Sequence, residues 1–280
     1  MNLTNYHSHS PYCDGRSNIE EFIATAIYWG FTSYGVSPHS PIPYPSTCNM
    51  LSERVEEYIS EMDMLKKKYE GKIEIYTGME IDYFGEEWNA SNDYFQTIPL
   101  DYRIASVHFI ANQEGEYYDI DGNAQKFIKL VDTHFGGDIR YVVETYFENM
   151  IKMIEIGGYD FIGHPDKISM NASAYTPHIT DSTWYKDIVH DYFKFIANKG
   201  VMLEVNTKAF IPHSYLFPNV QHLKYLKELN IPLVVNSDAH IPSLMKSGFK
   251  EAYLLLKEAG CKNTMQLSCG KWIENPISNI

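Results

Sequence analysis

Short apolar runs alternate along this chain with longer segments of helical period. Seven runs read as strands: residues 5–6, 33–36, 73–78, 102–107, 161–163, 201–205 and 233–236. Between them, apolar residues recur at spacings of three and four. Residues 19–29 carry Ile19, Phe22, Ile23, Ala26 and Ile27 on one face, with Asn18 placed to cap the first turn. Residues 53–69 carry Val55, Ile59, Met62 and Leu65 and close on a lysine run, which suits the negative end of a helix. Residues 146–156 stop at Gly157-Gly158, a helix terminator. Segments 184–198, 221–229 and 246–259 complete the predicted helices.

Strand and helix in alternation predict a parallel sheet joined by helical crossovers. Histidine or acidic residues follow most of the predicted strands. An open sheet does not normally bring so many strand ends to one point. A closed barrel does, because its loops meet at the C-terminal rim. The pattern therefore predicts an α/β protein: a single domain over residues 1–280, built as a (β/α) barrel of seven strands rather than eight. Residues 111–140 are long and polar, with Tyr117-Tyr118-Asp119 and Gly136-Gly137, and read as a loop insertion. Following His108, it either folds over the rim or runs out across the surface. No repeat, low-complexity segment or linker interrupts the chain.

Composition narrows the partners. At 44% hydrophobic and 21% charged, the chain is an ordinary globular protein able to bury a substantial core. Its 36 acidic and 23 basic residues leave a net charge of −13, which argues against a nucleic-acid surface. A small anionic substrate stays possible, because bound divalent ions make a site locally positive. The 22 tyrosines are many, and some are expected to line a polar pocket. Cys13, Cys48, Cys261 and Cys269 form no Cys-x-x-Cys pair, so they read as reduced thiols of a cytoplasmic protein. No signal peptide and no membrane-spanning stretch is visible.

Nine residues carry the candidate chemistry: His7, His9, Asp14, His39, Glu80, His108, His164, Asp238 and His240. Neutral imidazole and carboxylate are the donors that hold Zn²⁺, Fe²⁺ or Mn²⁺. One His-x-His says little, but nine such groups at successive strand ends predict a cluster of more than one divalent ion. A carboxylate can bridge two cations through its two oxygens, which an imidazole cannot. Glu80 suits that role, with Asp82 its nearest rival. Cys13 reads as a packing residue or a soft ligand. His134, His178, His190, His213 and His222 read as surface residues, although His213 follows the strand at 201–205 and is within reach of a substrate.

In this order the motifs resemble the polymerase and histidinol phosphatase (PHP) superfamily, from Met1 to about Ile241. The resemblance implies a distorted seven-stranded TIM-like barrel of PHP type that holds two or three metals and hydrolyses phosphoesters. Carried over, it gives His7, His9, Glu80 and Asp238 the first ion, Glu80, His108 and His164 the second, and Asp14, His39 and His240 the third. Within the superfamily, segments 77–83, 100–110, 203–207 and 231–240 resemble the histidinol-phosphate phosphatases beyond the shared ligands. That implies hydrolysis of L-histidinol phosphate to L-histidinol and phosphate, a step in histidine biosynthesis. The nucleophile would be a metal-bridging hydroxide, with Asp238 or His240 as candidates to protonate the leaving alkoxide.

Two positions depart from the pattern. Such enzymes commonly carry arginine after the Asn-Thr segment and another after Gly-His; here stand Lys208 and Lys167. Lysine binds phosphate as a point charge, without a bidentate fork. Arg16 is either a compensating cation or a solvated loop charge. The substrate-binding candidates are therefore Arg16, Lys167, Lys208 and His213. The departures leave open another small phosphoester or a nucleotide as substrate. A non-catalytic metal-binding module would predict broken ligand motifs, and all of them are present.

Overall fold

A computed structural model describes residues 3–277. Its strands are β1 (Leu3–Asn5), β2 (Phe31–Val36), β3 (Glu74–Asp82), β4 (Tyr102–Ser106), β5 (Phe109–Ala111), β6 (Tyr117–Asp119), β7 (Phe161–Ile162), β8 (Met202–Asn206), β9 (Leu233–Asn236), β10 (Asn263–Ser268) and β11 (Lys271–Pro276). Its helices are α1 (Ile19–Tyr28), α2 (Val55–Lys68), α3 (Asp93–Thr97), α4 (Ala124–His134), α5 (Ile139–Ile156), α6 (Ile168–Tyr175), α7 (Thr183–Lys199), α8 (Phe210–His213), α9 (Leu223–Glu228) and α10 (Phe249–Glu258). Seven strands form one parallel sheet in the order β1-β2-β3-β4-β7-β8-β9. These are the seven expected from the apolar runs.

The sheet curls until its edges meet. Beyond the ends of β1 and β9, Ser8 bridges Ala239 in parallel, with His9 N donating to Ala239 O at 2.9 Å. Side chains complete the seam: Asn236 Oδ1 accepts from Tyr6 N at 2.7 Å, and Asn5 Nδ2 donates to Ser237 Oγ at 2.9 Å. The result is a nearly closed, distorted barrel. Its strands bury both faces, as strands between a barrel interior and a helical layer must. Within β3 every residue after Glu74 is buried.

Two close approaches shape the interior. Tyr102 lies across Gly35 and Gly78, where an added Cβ would sit 2.3 Å and 2.2 Å from its ring and hydroxyl atoms. Its hydroxyl donates to Tyr6 O at 2.6 Å. Below it, the hairpin of β10 and β11, which the sequence reading did not anticipate, plugs the N-terminal end of the barrel. Leu267 and Trp272 join Tyr6, Tyr76, Tyr102, Phe161, Met202 and Val234 in a separate apolar cluster there. Tyr6 Oη also accepts from Leu267 N at 2.9 Å. Tyr6 and Tyr102 thus serve the core.

The expected loop at 111–140 is largely regular. β5 and β6 form an antiparallel hairpin and α4 follows, capped by Asn123, whose side chain accepts from Lys126 N. Only Phe127 and Val131 of α4 are buried, so its apolar stripe is too thin to stand out in the sequence. Asn171 Nδ2 ties the segment down by donating to Ile120 O and Gly122 O. Elsewhere, Asn18 caps α1 as expected, accepting from Glu21 N.

Candidate metal centre

The C-terminal rim gathers the candidate ligands. His7 and His9 follow β1, His39 follows β2, His108 follows β4, His164 follows β7, and Asp238 and His240 follow β9. Glu80 lies inside β3, because that strand runs beyond the apolar segment 73–78. Its first half pairs with β2, and its second half, Gly78 to Asp82, pairs with β4. Glu80 and Asp82 are two residues apart, so they share the inward face. Gly15 packs against the first loop so closely that a Cβ would meet Ser10 N at 2.3 Å, which sets the turn carrying Asp14.

Glu80 is the centre of the cluster and is fully buried. Its Oε2 lies 3.2 Å from His7 Nε2, 3.7 Å from His9 Nε2 and 3.0 Å from His39 Nδ1. Its Oε1 lies 2.8 Å from His164 Nε2 and 3.5 Å from His108 Nε2, and accepts from Ser106 Oγ at 2.7 Å. Each oxygen thus faces a different set of imidazoles. Asp238 Oδ1 is 3.0 Å from His9 Nε2 and 4.0 Å from His7 Nε2. Further out, Asp14 Oδ1 is 3.2 Å from His240 Nε2, 3.8 Å from His9 Nδ1 and 4.0 Å from His39 Nε2.

Four overlapping groups have ligand atoms mutually within 4.8 Å: His9, Asp14, His39 and His240; His7, His164 and Asp238; His7, His9 and Glu80; and His39, Glu80 and His108. All nine candidates fall in them. Cys13 falls in none and donates its thiol to Ser10 O instead. The inward atoms His7 Nε2, His9 Nε2, His39 Nδ1, Glu80 Oε2 and Asp14 Oδ1 are buried without hydrogen bonds. Buried polar atoms are normally satisfied, and converging lone pairs repel one another. His108 Nε2 and His164 Nε2 face each other at 3.1 Å. The donor set and its unsatisfied atoms fit bound divalent cations.

Electrostatics divide the rings. Burial disfavours a charged His7, but Glu204, Glu80 and Asp238 outweigh it and hold the ring well above the ordinary histidine pKa. His9 is driven well below it by burial, His240 and His39. Glu80 opposes its own burial through His7, His39 and His108, which keep its carboxyl well below the usual range. A metal needs an ionised carboxylate and neutral imidazole, so a bound cation would displace the proton that these carboxylates favour on His7.

Cations meet Asp238 at the rim. Lys208 Nζ lies 3.0 Å from Asp238 Oδ1, and Lys167 Nζ lies 4.0 Å from Oδ2. Lys167 also pairs with Asp121 at 2.8 Å. A cavity of about 580 Å³ opens here, lined by Asp14, Arg16, Lys208, Asp238 and His240 on its polar side and by Ile211, Ile241 and Leu244 on its apolar side. A narrower one of about 60 Å³ reaches His39, Asp82 and His108 and is walled by Asp119 and Asp121.

A model of the PHP domain matches residues 5–208. The chain belongs to the PHP domain family. This PHP chain is 28% identical to the histidinol-phosphatase of Bacillus subtilis over 253 residues, which cover 84% of it and 92% of that protein. Its fold resembles that of a Listeria monocytogenes protein assigned as a histidinol phosphatase, with TM-score 0.79, 22% identity, and 89% of this chain and 99% of that one covered. It also resembles the histidinol phosphate phosphatase of Lactococcus lactis solved with zinc, L-histidinol and phosphate, with TM-score 0.71, 22% identity, and 96% and 98% covered.

Against this PHP framework, some expectations need correction. His213 sits exposed on α8 and lines neither cavity, because that short helix turns its end outward. His222 is not a surface residue. It is 5% exposed, 5.3 Å from the Phe193 ring, and burial with His190 lowers its pKa to about 4. No tyrosine lines either cavity. The insertion does reach the site, through Asp119 and Asp121. Asp82 is a partner of His108, not a rival of Glu80, with Oδ1 2.7 Å from His108 Nδ1. Strand period alone signals that Asp82 and Glu80 share a face. Nothing local to Asp121 signals its pairing with Lys167.

Proposed function

We propose that this chain is a metal-dependent phosphomonoesterase that hydrolyses L-histidinol phosphate to L-histidinol and phosphate, a step in histidine biosynthesis. The observation that carries this reading is Glu80, whose two oxygens face separate imidazole groups beside a cavity edged by Arg16 and Lys208, with Lys167 4.0 Å from Asp238. We assign His7, His9, Glu80 and Asp238 to a first ion, Glu80, His108 and His164 to a second, and Asp14, His39 and His240 to a third. Zinc, iron and manganese all suit these donors. Such ions supply charge neutralisation at the phosphoryl oxygens and acidify water.

The protein's own residues do the rest. Lys167 and Lys208 attract the phosphate as point charges, and Arg16 adds a third cation at the cavity edge. His213 has no part in this reading. Water adds to phosphorus and gives up a proton as the ester P–O bond breaks, and the departing alkoxide takes one up. Asp238, held ionised against its burial by Lys208 and His7, is the candidate to accept the first, and His240 to deliver the second. The four free thiols support a reducing, cytoplasmic setting.

The test is phosphate release by purified, metal-loaded protein. L-histidinol phosphate should exceed other monoesters by about tenfold or more in kcat/KM. A clear preference for another monoester would overturn the substrate and keep the phosphatase. No release from any monoester, with metal bound, would overturn both.

A further inference from the structure

Glu204 is a second fully buried carboxylate under the cluster, and it belongs to none of the four ligand groups. It projects from β8, the one barrel strand between His164 and Asp238 that supplies no candidate ligand. Four donors converge on it. Its Oε1 lies 2.8 Å from His7 Nδ1 and accepts from Asn236 Nδ2 at 3.0 Å. Its Oε2 accepts from the backbone N–H of His164 at 2.8 Å and from Asn206 Nδ2 at 2.9 Å. Asn206 Nδ2 also reaches Asp238 Oδ2 at 3.3 Å. Ligands from β1, β7 and β9 are thus tied to one side chain.

The backbone adds a second observation. His164 and Asp238 both have positive φ, at 25° and 49°, which residues with a Cβ rarely adopt. Such conformations persist only where the surroundings over-determine them. At His164 the N–H bond to Glu204 is part of what does so.

We propose that Glu204 is a positioning residue, which sets the tautomer of His7 and holds the His164 peptide so that both rings meet the metal cluster. This rests on the metal-centre reading above. With its Nδ1 proton donated to Glu204, His7 keeps the lone pair of Nε2 free, 3.2 Å from Glu80 Oε2. Only a carboxylate can serve all four donors. Glutamine has one acceptor oxygen. If its amide faced His7, it would donate to Nδ1 and move the ring proton to Nε2, which removes the lone pair a metal needs. If the amide faced His164, a donor would oppose a backbone N–H that cannot turn away. Aspartate is one methylene too short to span both.

The experiment compares wild type with Glu204→Gln by equilibrium dialysis against buffered free zinc, and reads the His7 ring of the zinc-loaded wild type by long-range ¹H–¹⁵N NMR. Folding of the variant is checked by circular dichroism. Zinc affinity should fall on the order of 10- to 100-fold in the folded variant, and wild-type His7 should carry its proton on Nδ1. Wild-type zinc affinity in a folded Glu204→Gln protein overturns the role of Glu204 alone. So does a His7 proton on Nε2 in the wild type, whether or not the variant folds. If the wild type takes up no zinc, the metal centre itself fails and this role falls with it.

Discussion

His108 Nδ1 lies 2.7 Å from Asp82 Oδ1, with both side chains buried. The carboxylate takes the ring proton as a hydrogen bond, so His108 Nε2 turns its lone pair towards Glu80 and His164. Asp82→Asn keeps an acceptor oxygen but loses the charge. It should lower zinc affinity on the order of 10-fold, the lower end for such partners. Glu80→Gln removes the shared carboxylate and should lose metal and activity together. Competition with a chromophoric chelator measures both. Equal, mild losses would rule out a bridging role for Glu80.

Lys167 and Lys208 approach the same carboxylate from neighbouring strands, β7 and β8. If they hold the phosphate equally in ground and transition states, replacing either with alanine raises KM and leaves kcat nearly unchanged. Hydrogen bonds to charged groups contribute about 1.5–3 kcal/mol, so the expected rise is about 10- to 100-fold. Steady-state kinetics, with inorganic phosphate as a competing inhibitor, read this directly. Unchanged KM and unchanged phosphate inhibition in both variants would leave the phosphate to the metals alone.

Leu267 is buried in the plug at the barrel end opposite Glu80. Leu267→Ala should destabilise the fold by about 2–5 kcal/mol. Turnover per folded molecule should stay at the wild-type value, because the plug touches no candidate ligand. Urea unfolding and kcat at low temperature separate the two effects. A large fall in kcat without loss of stability would show that the plug is coupled to the site.

His222 titrates where stability can report it. Burial, aided by His190, lowers its folded pKa from 6.5 to about 4. Below pH 6.5 the unfolded chain binds the proton first, so stability is present above pH 6.5 and is lost as pH falls through about 4. The loss is about 3 kcal/mol at most. His222→Gln should flatten the stability curve between those values, as read by denaturant midpoints across pH. A variant with the wild-type slope would show that another group causes the acid loss.

Much of this molecule is legible in the residue pattern, because period and residue type are local. The apolar runs mark all seven barrel strands, and a polar ligand beyond most of them implies closure, since only a barrel brings those ends together. Local patterns weaken where elements are short or thinly apolar. The two buried side chains of α4 do not make a readable stripe, and the edges of β10 and β11 look like any polar hairpin.

What the chain could not announce is who faces whom. Glu80 and Asp82 share one strand face, yet Glu80 meets the cluster and Asp82 orients His108, because β2 and β4 bring His39 and His108 to different points along β3. Asp121 and Lys167 pair across two intervening helices. Tyr6 and Tyr102 are sent inward by Gly35, Gly78 and the hairpin plug. Strand order and hydrophobic period determine which residues can reach the rim. Which oxygen or nitrogen each one meets depends on contacts between segments far apart in sequence, and those exist only once the barrel has closed.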